Sequence, residues 1–232
     1  MERNDFMGNL LAWKRSEFKV MRVLNTIPSK ELKNLTPKSI LEKDDKKLIT
    51  PWSAAGYHWR WLIGAHLQHV SSKKEIVVVS YHAPVFEETP PLFMVLDLTF
   101  SCVEEFAGEL PTVFMGDFNM IPGTPVYSLI TEQTKSSIEF EVLSEKFSYT
   151  PKLKGCFQSG LKLAKGSEPK FTTRSKLTFK DKEFQETIDY IFLSNVKATN
   201  LIAGEISEEE KFYPTKENPS DHLPISLSFS LL

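Results

Sequence analysis

Asp117 and Asn119, in the tetrapeptide Gly116-Asp117-Phe118-Asn119, are a pair with the means to do chemistry. A carboxylate and a carboxamide presented together can hold a water, a hard cation or a phosphoryl oxygen. They follow an apolar run, Val113-Phe114-Met115, that reads as a buried strand. Residues i and i+2 of a strand share a face, so the two side chains are expected side by side at the strand's end. A Gly/Pro turn comes next, then a short helix with Thr124 as N-cap and Pro125 at its first position. Taken alone, the pair suits an Asp/Asn turn that closes a strand better than it suits a site.

Three further groups bear on the choice. His82 ends a β-branched run, Ile76 to Val79, of the kind found in strands buried on both faces, and Pro84 breaks the ladder after it. Asp189 is the ionisable residue inside the strand pattern Thr187 to Leu193. A carboxylate buried there needs a partner, and a histidine is the obvious one. Asp221 and His222 stand in a loop before a last strand predicted from Ile225. Between His82 and Asp117, Leu92, Val95, Leu96, Thr99, Val103 and Phe106 recur at helical spacing. Strand, helix and strand make a crossover unit whose two strands end together, which brings His82 to Asp117 and Asn119.

The rest of the chain supplies the frame. Its 232 residues, 41% hydrophobic and 25% charged, fit one globular domain with a sizeable core. Cys102 and Cys156 have no metal-type spacing and make no disulfide framework. Neither a signal-peptide pattern nor an apolar run of membrane-spanning length is present, so an intracellular protein, cytoplasmic or nuclear, is expected. Leu10 to Trp13, a turn at Lys14 to Glu17, and Phe18 to Leu24 read as a β-hairpin. Residues 28–58 carry no assigned chemistry, and Lys30 to Lys47 reads as a surface helix or loop insertion. Trp61 to Val70, a turn and Ile76 to His82 read as strand, turn, strand, so His66 and His69 face opposite sides; with His58 they are taken as structural or surface residues.

From Pro151 to Lys182 nine basic residues face only Glu168 and Asp181, a local balance of 9 − 2 = +7 in a chain of net charge −2. Lys162, Lys165, Lys170 and Arg174 lie here, with Phe157, Phe171 and Phe179 interleaved. Charge that tracks a backbone and rings that stack on bases suit single-stranded nucleic acid, and the pattern equally suits a solvated loop anchored by its aromatics.

GDFN at 116–119, TIDYIF at 187–192 and PSDHLP at 219–224, in that order and each in strand context, are a stronger signal together than any one alone. Together they resemble the endonuclease/exonuclease/phosphatase superfamily, metal-dependent phosphodiesterases with a deoxyribonuclease I-like fold. GDFNMIPGTPVYSLI, LKGCFQSGLKLAKGSEPKFTT and LLAWKRSEFKV are similar to segments of its deadenylase-like branch (the carbon-catabolite-repression deadenylases, nocturnin and the Angel proteins). SYHAP stands where many members have Asn-Thr-His-Leu.

The resemblance implies an α/β fold of two packed β-sheets flanked by helices, a four-layer sandwich. It implies a catalytic set of Asp117, Asn119, His222, Asp189 and His82. Asp117 would orient the attacking water and act as its base, Asn119 would hold a phosphate oxygen, and Asp189 would orient His222 against the scissile phosphate. Asp221, with Asp117 and Asn119, would bind Mg²⁺, with Mn²⁺ as the alternative. The implied activity is hydrolysis of phosphodiester bonds, as a 3′-to-5′ exoribonuclease acting on single-stranded RNA or poly(A). A weakly active or inactive RNA- or protein-binding module is the alternative, and a small-molecule phosphodiesterase or phosphatase ranks below both. Members usually open with a strand carrying an Asn and a second ending in Leu-Gln-Glu, whose Glu is a principal metal ligand. Neither is found here, so a single domain without the leading strands is expected, with an exposed sheet edge and apolar surface.

Overall fold

The structure is a computed structural model and describes residues 8–35, 50–57, 60–86, 89–142, 144–177, 182–196, 198–204, 213–216 and 219–231. His58, Phe179, Lys180 and most of the Lys30 to Lys47 segment lie outside the described residues.

The β-branched run forms β3, Glu75–His82, and the helical pattern forms α2, Thr89–Ala107. β4, Thr112–Asp117, then lies parallel to β3 with His82 opposite Asp117. The crossover read from the sequence is therefore present, and its two strands end at the same level. β1 (Phe18–Thr26), β2 (Leu62–His69), β7 (Gln158–Ser159) and β10 (Asp189–Ser194) complete a six-stranded sheet in the order β1-β2-β3-β4-β10-β7. β10 runs antiparallel to β4 with Asp189 opposite Asp117.

One face of this sheet is covered by α2. Val77, Val79, Tyr81, Phe114 and Phe192 pack there against Val95, Leu96, Phe100 and Val103. Phe100 is the hub: its ring centroid lies 4.6 Å from that of Phe114, 4.9 Å from Phe157 and 5.5 Å from Phe192. The helix also carries Asp97, fully buried, whose carboxylate accepts from Tyr149 Oη at 2.8 Å and from the backbone N–H of Lys152 and Leu153. Glu104 accepts from Lys154 N and Gly155 N, so these two carboxylates pin the 149–155 loop to the helix. Such donors satisfy a carboxylate that burial would otherwise make costly.

On the opposite face, Val113, Ile191 and Leu193 pack against Leu201, Ile225, Leu227 and Phe229. The last two elements of the chain thus form a second layer, a two-stranded sheet of β11 (Ala198–Ala203) and β12 (Leu227–Leu231). Two packed sheets with helix on the outside agree with the expected sandwich. The outer strand β1 exposes Met21 and Val23.

Several expectations need correction. Leu10 to Trp13 is not a strand: β1 pairs with β2, Phe18 opposite His69, and the preceding residues lead into it without a ladder. The second arm found a longer partner elsewhere in the chain, a tertiary choice that local pattern does not reveal. The 28–58 region is more than surface. A 3-10 helix at Pro28–Leu35 and α1 at Pro51–Tyr57 send Leu32, Trp52 and Ala55 into the main core. The final strand starts at Leu227 rather than Ile225, and β10 starts at Asp189, which places that carboxylate at the strand's end and not inside it.

His66 and His69 serve the structure, as read. His66 is buried with Nε2 3.1 Å from Glu75 Oε2, and His69 Nδ1 lies 2.7 Å from Ser72 Oγ in the β2–β3 turn.

Candidate active site

Gly116 sets the first part of the site. It lies between Tyr81 and Tyr190 in the middle of the sheet at φ +147°, and a Cβ there would stand 1.8 Å from the Tyr81 carbonyl oxygen. Only a glycine permits that approach. Asp117 ends β4, and its backbone carbonyl accepts from Ala83 N, so the chain after β3 is tied to it. Phe118 turns inward to the aromatic core, fully buried, and its N–H donates to Ile188 O.

Asn119 is not one strand position further along, as alternation would have it. It sits at φ +49°, a conformation that Asn tolerates. Its N–H donates to Asp117 Oδ1 at 2.9 Å and its Nδ2 donates to Ala83 O at 2.8 Å. The carboxamide is thus fixed by its nitrogen, leaving Oδ1 as its remaining acceptor. Thr124 then caps α3 (Pro125–Thr131) through its side chain, with Pro125 at the first position as read.

The second part comes from the far end of the chain. His222 Nδ1 lies 2.9 Å from Asp189 Oδ2, and its Nε2 points toward Asp117 Oδ2 at 4.0 Å. His82 Nε2 approaches the same oxygen at 3.4 Å. Asp117, Asp189 and His222 each offer an atom within 4.8 Å of the others. Three of the five residues expected to act together, His82, His222 and Asp189, are therefore within reach of the Asp117 carboxylate, and Asn119 is bonded to it.

Thr172 was missed by the sequence reading, although it stands in the Phe-Thr-Thr step of the family segment. It is fully buried, and its Oγ1 donates to Asp189 Oδ2 at 2.7 Å while accepting from Ile188 N and Asp189 N at 3.0 Å each. Its backbone carbonyl accepts from Leu223 N, and Thr173 Oγ1 donates to Asp221 O. One short segment, next to β8 (Thr173–Leu177), therefore holds both the carboxylate and the loop that brings the imidazole. Thr172→Val would strip a buried carboxylate of a donor and leave two buried N–H groups unmet. It should destabilise the protein by ~2 kcal/mol in urea unfolding, without removing any side chain that contacts substrate.

Charge in the site is unevenly distributed. The hydrogen bond to Asp189 and the surrounding carboxylates raise the His222 pKa to about 9, against the opposing effect of burial. His222 is thus an imidazolium at neutral pH, with Nδ1–H donated to Asp189 and Nε2–H available. Burial, then the negative charge of Asp189, push Asp117 up to about 6, although the Asn119 N–H and His222 pull it down and Asp221 adds to the rise. His82 is lowered despite the nearby carboxylate, because burial and the positive charges of Arg60 and His222 outweigh it. One neutral imidazole and one cationic imidazole thus face one poised carboxylate.

Asp221 is exposed and lies near enough to influence both Asp117 and His222. The donor chemistry fits a hard divalent cation. Asp117, Asp221 and the Asn119 carbonyl offer oxygen ligands, there is no thiol in the cluster, and the repulsion that lifts Asp117 is what a cation would relieve. Of these residues, the expected ligand set, Asp117 is in the group whose ligating atoms lie within 4.8 Å of one another, with Asp189 and His222, and Asp221 is outside it.

The basic segment divides. Lys162, Lys165 and Lys170 are exposed, the first two on α4 (Gly160–Lys165) with Lys162 Nζ 5.7 Å from the Tyr127 ring centroid. Phe171 and Phe157, by contrast, are 1% and 3% exposed. Phe171 packs with Tyr213 and Leu223 beneath the site loop, and Arg174 lies over its ring at 5.9 Å. Neither ring can stack on a base, so the expected nucleic-acid role of Phe171 is withdrawn. Its hydrophobic area is worth more inside than an alternating pattern suggested.

Residues 40–222 match the sequence profile of the Endonuclease/Exonuclease/phosphatase family. The chain belongs to that family. Among curated relatives of this endonuclease/exonuclease/phosphatase protein, carbon catabolite repressor protein 4 homolog 4 of Arabidopsis thaliana is 32% identical over 135 residues, covering 55% of this chain and 29% of the relative. The chain spans less than a third of the curated relatives it matches.

Its fold is shared with ANGEL2, described as a 2′,3′-cyclic phosphatase in complex with adenosine-2′,3′-vanadate, at TM-score 0.61 and 18% identity over 94% of this chain and 69% of that one. It is also shared with the human nocturnin catalytic domain, solved with bound sulfate, at TM-score 0.51 and 17% identity over 93% and 62%. The Arabidopsis relative agrees with the deadenylase-like likeness read from GDFNMIPGTPVYSLI, LKGCFQSGLKLAKGSEPKFTT and LLAWKRSEFKV. Among the described residues no helix is long and apolar enough to cross a membrane.

Proposed function

We propose that the protein is a divalent-cation-dependent phosphodiesterase that removes nucleotides from the 3′ end of single-stranded RNA, poly(A) included. The observation that carries this reading is the line from Thr172 through Asp189 and His222 to Asp117, with His82 on the other side of the same oxygen. Asp117, poised near neutrality, accepts the proton of the attacking water at Oδ2. His222, held by Asp189 in the orientation that leaves Nε2–H free, donates to a phosphate oxygen as charge builds there. Neutral His82 steadies the phosphate from the other side, and Asn119 is held in place by the Ala83 carbonyl to meet a further oxygen. The new P–O bond forms from water, the bond to the ribose 3′-oxygen breaks, and that oxygen takes up a proton. A bound Mg²⁺ or Mn²⁺ would supply polarisation of the phosphoryl group and neutralise charge in the transition state.

The test is the full chain with 5′-labelled oligoadenylate. We expect a ladder shortening one nucleotide at a time in Mg²⁺ and none in EDTA. The absence of Mg²⁺-dependent turnover of any single-stranded RNA would replace this reading with that of a binding module. The exposed lysines belong to the same proposal as a backbone track. Changing Lys162, Lys165 and Lys170 together to Gln should weaken RNA binding and flatten its log–log salt dependence by about 2, at roughly 0.7 per phosphate contact. An unchanged slope would make them a solvated face.

A further inference from the structure

The main sheet sets Asp117 opposite Asp189, and that pair is the last of the β4–β10 ladder. Two parts of the site lie outside this ladder: the turn that follows Asn119, and the Thr172 segment that carries the His222 loop. Glu168 joins them. Its side chain is half-buried, and two hydroxyls donate to it, Tyr127 Oη to Oε1 at 2.6 Å and Ser159 Oγ to Oε2 at 2.9 Å. Both donors belong to buried residues. Hydrogen bonds to a carboxylate are short and roughly twice as strong as those between neutral groups. The Tyr127 hydroxyl accordingly has its pKa pushed up, first by burial and then by its bond to Glu168.

Each partner comes from a different element. Tyr127 stands in the first turn of α3, where its N–H donates to the Thr124 cap soon after the GDFN turn. Ser159 caps α4, with its Oγ accepting from Lys162 N. Glu168 itself leads into Pro169, whose carbonyl accepts from Thr187 Oγ1 at 2.7 Å, and then to Thr172 with its bonds to Ile188 and Asp189. From the other side, Tyr190 Oη donates to Met120 O at 2.9 Å, and its ring centroid lies 6.0 Å from that of Tyr127. The contacts close a circuit that runs from Asn119 through α3, Glu168, Thr172, Asp189 and His222 back to Asp117.

We infer that Glu168 is a positioning residue: through Tyr127 it fixes the Thr172 segment against α3, and so sets the spacing of His222 and Asp117 about the phosphoryl group. Its two oxygens are turned to Tyr127 and Ser159, so it acts on the chemistry through placement. A reacting group misplaced by about 1 Å loses on the order of 10²-fold in rate, which makes such a brace consequential. This rests on the phosphodiesterase reading and deepens it.

The test compares Glu168→Ala, Glu168→Gln and Tyr127→Phe in the full chain, with urea unfolding to establish that each is folded under assay conditions. Gln keeps the acceptor for Tyr127 Oη, and its amide can donate to the second acceptor site of the Ser159 hydroxyl. On oligoadenylate in Mg²⁺, Glu168→Ala should lower kcat by about 10²-fold and Tyr127→Phe by about tenfold, with KM little changed, and Glu168→Gln should recover most of the loss. A second readout needs no turnover. In EDTA at pH 7, the ring C–H signal of His222 in ¹³C-histidine-labelled protein, identified by its loss in His222→Gln, should move in Glu168→Ala and Tyr127→Phe and return in Glu168→Gln. If Glu168→Ala does not fold, Tyr127→Phe carries the test, since it removes one hydroxyl and leaves the ring in place. A lower urea midpoint with unchanged kcat and an unmoved His222 signal would make Glu168 a support of the fold alone and overturn the inference. So would a Glu168→Gln protein as impaired as Glu168→Ala, because charge and not placement would then be acting. A chain that hydrolyses nothing, yet shows the His222 signal moving and returning as described, would sink the hydrolytic reading and leave the brace standing.

Discussion

Asp117→Asn should lower kcat/KM for oligoadenylate by about 10³-fold or more, within or beyond the range that positioned general bases contribute, and should leave the fold intact. The variant keeps the shape of the side chain and its Oδ1 acceptor for the Asn119 N–H at 2.9 Å. What it loses is the basic oxygen that faces His82 and His222 and one anionic ligand of the proposed cation. Activity near wild type would remove Asp117 from the chemistry and with it the centre of the proposed mechanism.

The same substitution should reveal a stability cost that runs opposite to the usual carboxylate. The native pKa of Asp117 is displaced upward from 3.8 to about 6, so between those values the native state binds more protons than the unfolded one. Stability then falls as pH rises through that window and stays lower above it. A displacement of this size is worth at most ~3 kcal/mol, and neighbouring charges share in it. In metal-free buffer at pH 8, Asp117→Asn should therefore unfold at an equal or higher urea midpoint than wild type, with the gap closing toward pH 4. His222 has the other sign. Its native pKa is raised to about 9, so its contribution is present in full below pH 6.5 and is lost as pH climbs through 9. A residue that costs stability at working pH and sits against two histidines is what a functional centre leaves in a fold.

Much of this was legible because it depends on short-range pattern. The β-branched run to His82, the helical spacing of Leu92 to Phe106 and the apolar run to Gly116 specify the crossover, and a parallel crossover fixes where its strands end. The Thr124-Pro125 start of α3 is local chemistry and could be read directly.

What could not be read depends on partners far away in sequence. Nothing near Phe18 says that its strand will pair with Leu62–His69 instead of Leu10–Trp13. Nothing near Phe171 says that Tyr213 and Leu223 will cover it. Nor does anything near Asp97 say that residues 149–153 will supply the donors to its carboxylate. Thr172 carried no signal beyond its place in a family segment, because its importance lies in bonds to residues 188 and 189 and, through the backbone, to 223. Asn119 was misplaced for a different reason: strand alternation was extended two residues past the strand's end, where a left-handed turn had already begun.

Gly116 is where the fold and the site depend on one atom. Gly116→Ala should destabilise the protein by ~3 kcal/mol or more, and in urea unfolding the loss should far exceed that of Gly123→Ala. Both glycines have positive φ, +147° and +78°, so both variants bear backbone strain. They differ in what the new methyl group meets. At Gly123 nothing lies within 4 Å, and the cost is strain alone, about 1 kcal/mol. At Gly116 the methyl would lie 1.8 Å from Tyr81 O and 2.9 Å from Tyr81 C, backbone atoms of the adjacent strand that cannot swing aside as a side chain would. Relief requires β3 and β4 to part at the level of Tyr81 and Gly116, immediately before His82 and Asp117. Any Gly116→Ala protein that does fold should thus hold His82 away from Asp117 and lose activity without having lost a catalytic group. Equal urea midpoints for the two alanine variants would mean that β3 and β4 do not approach as closely as this, and that the glycine of GDFN serves the turn and not the strand contact.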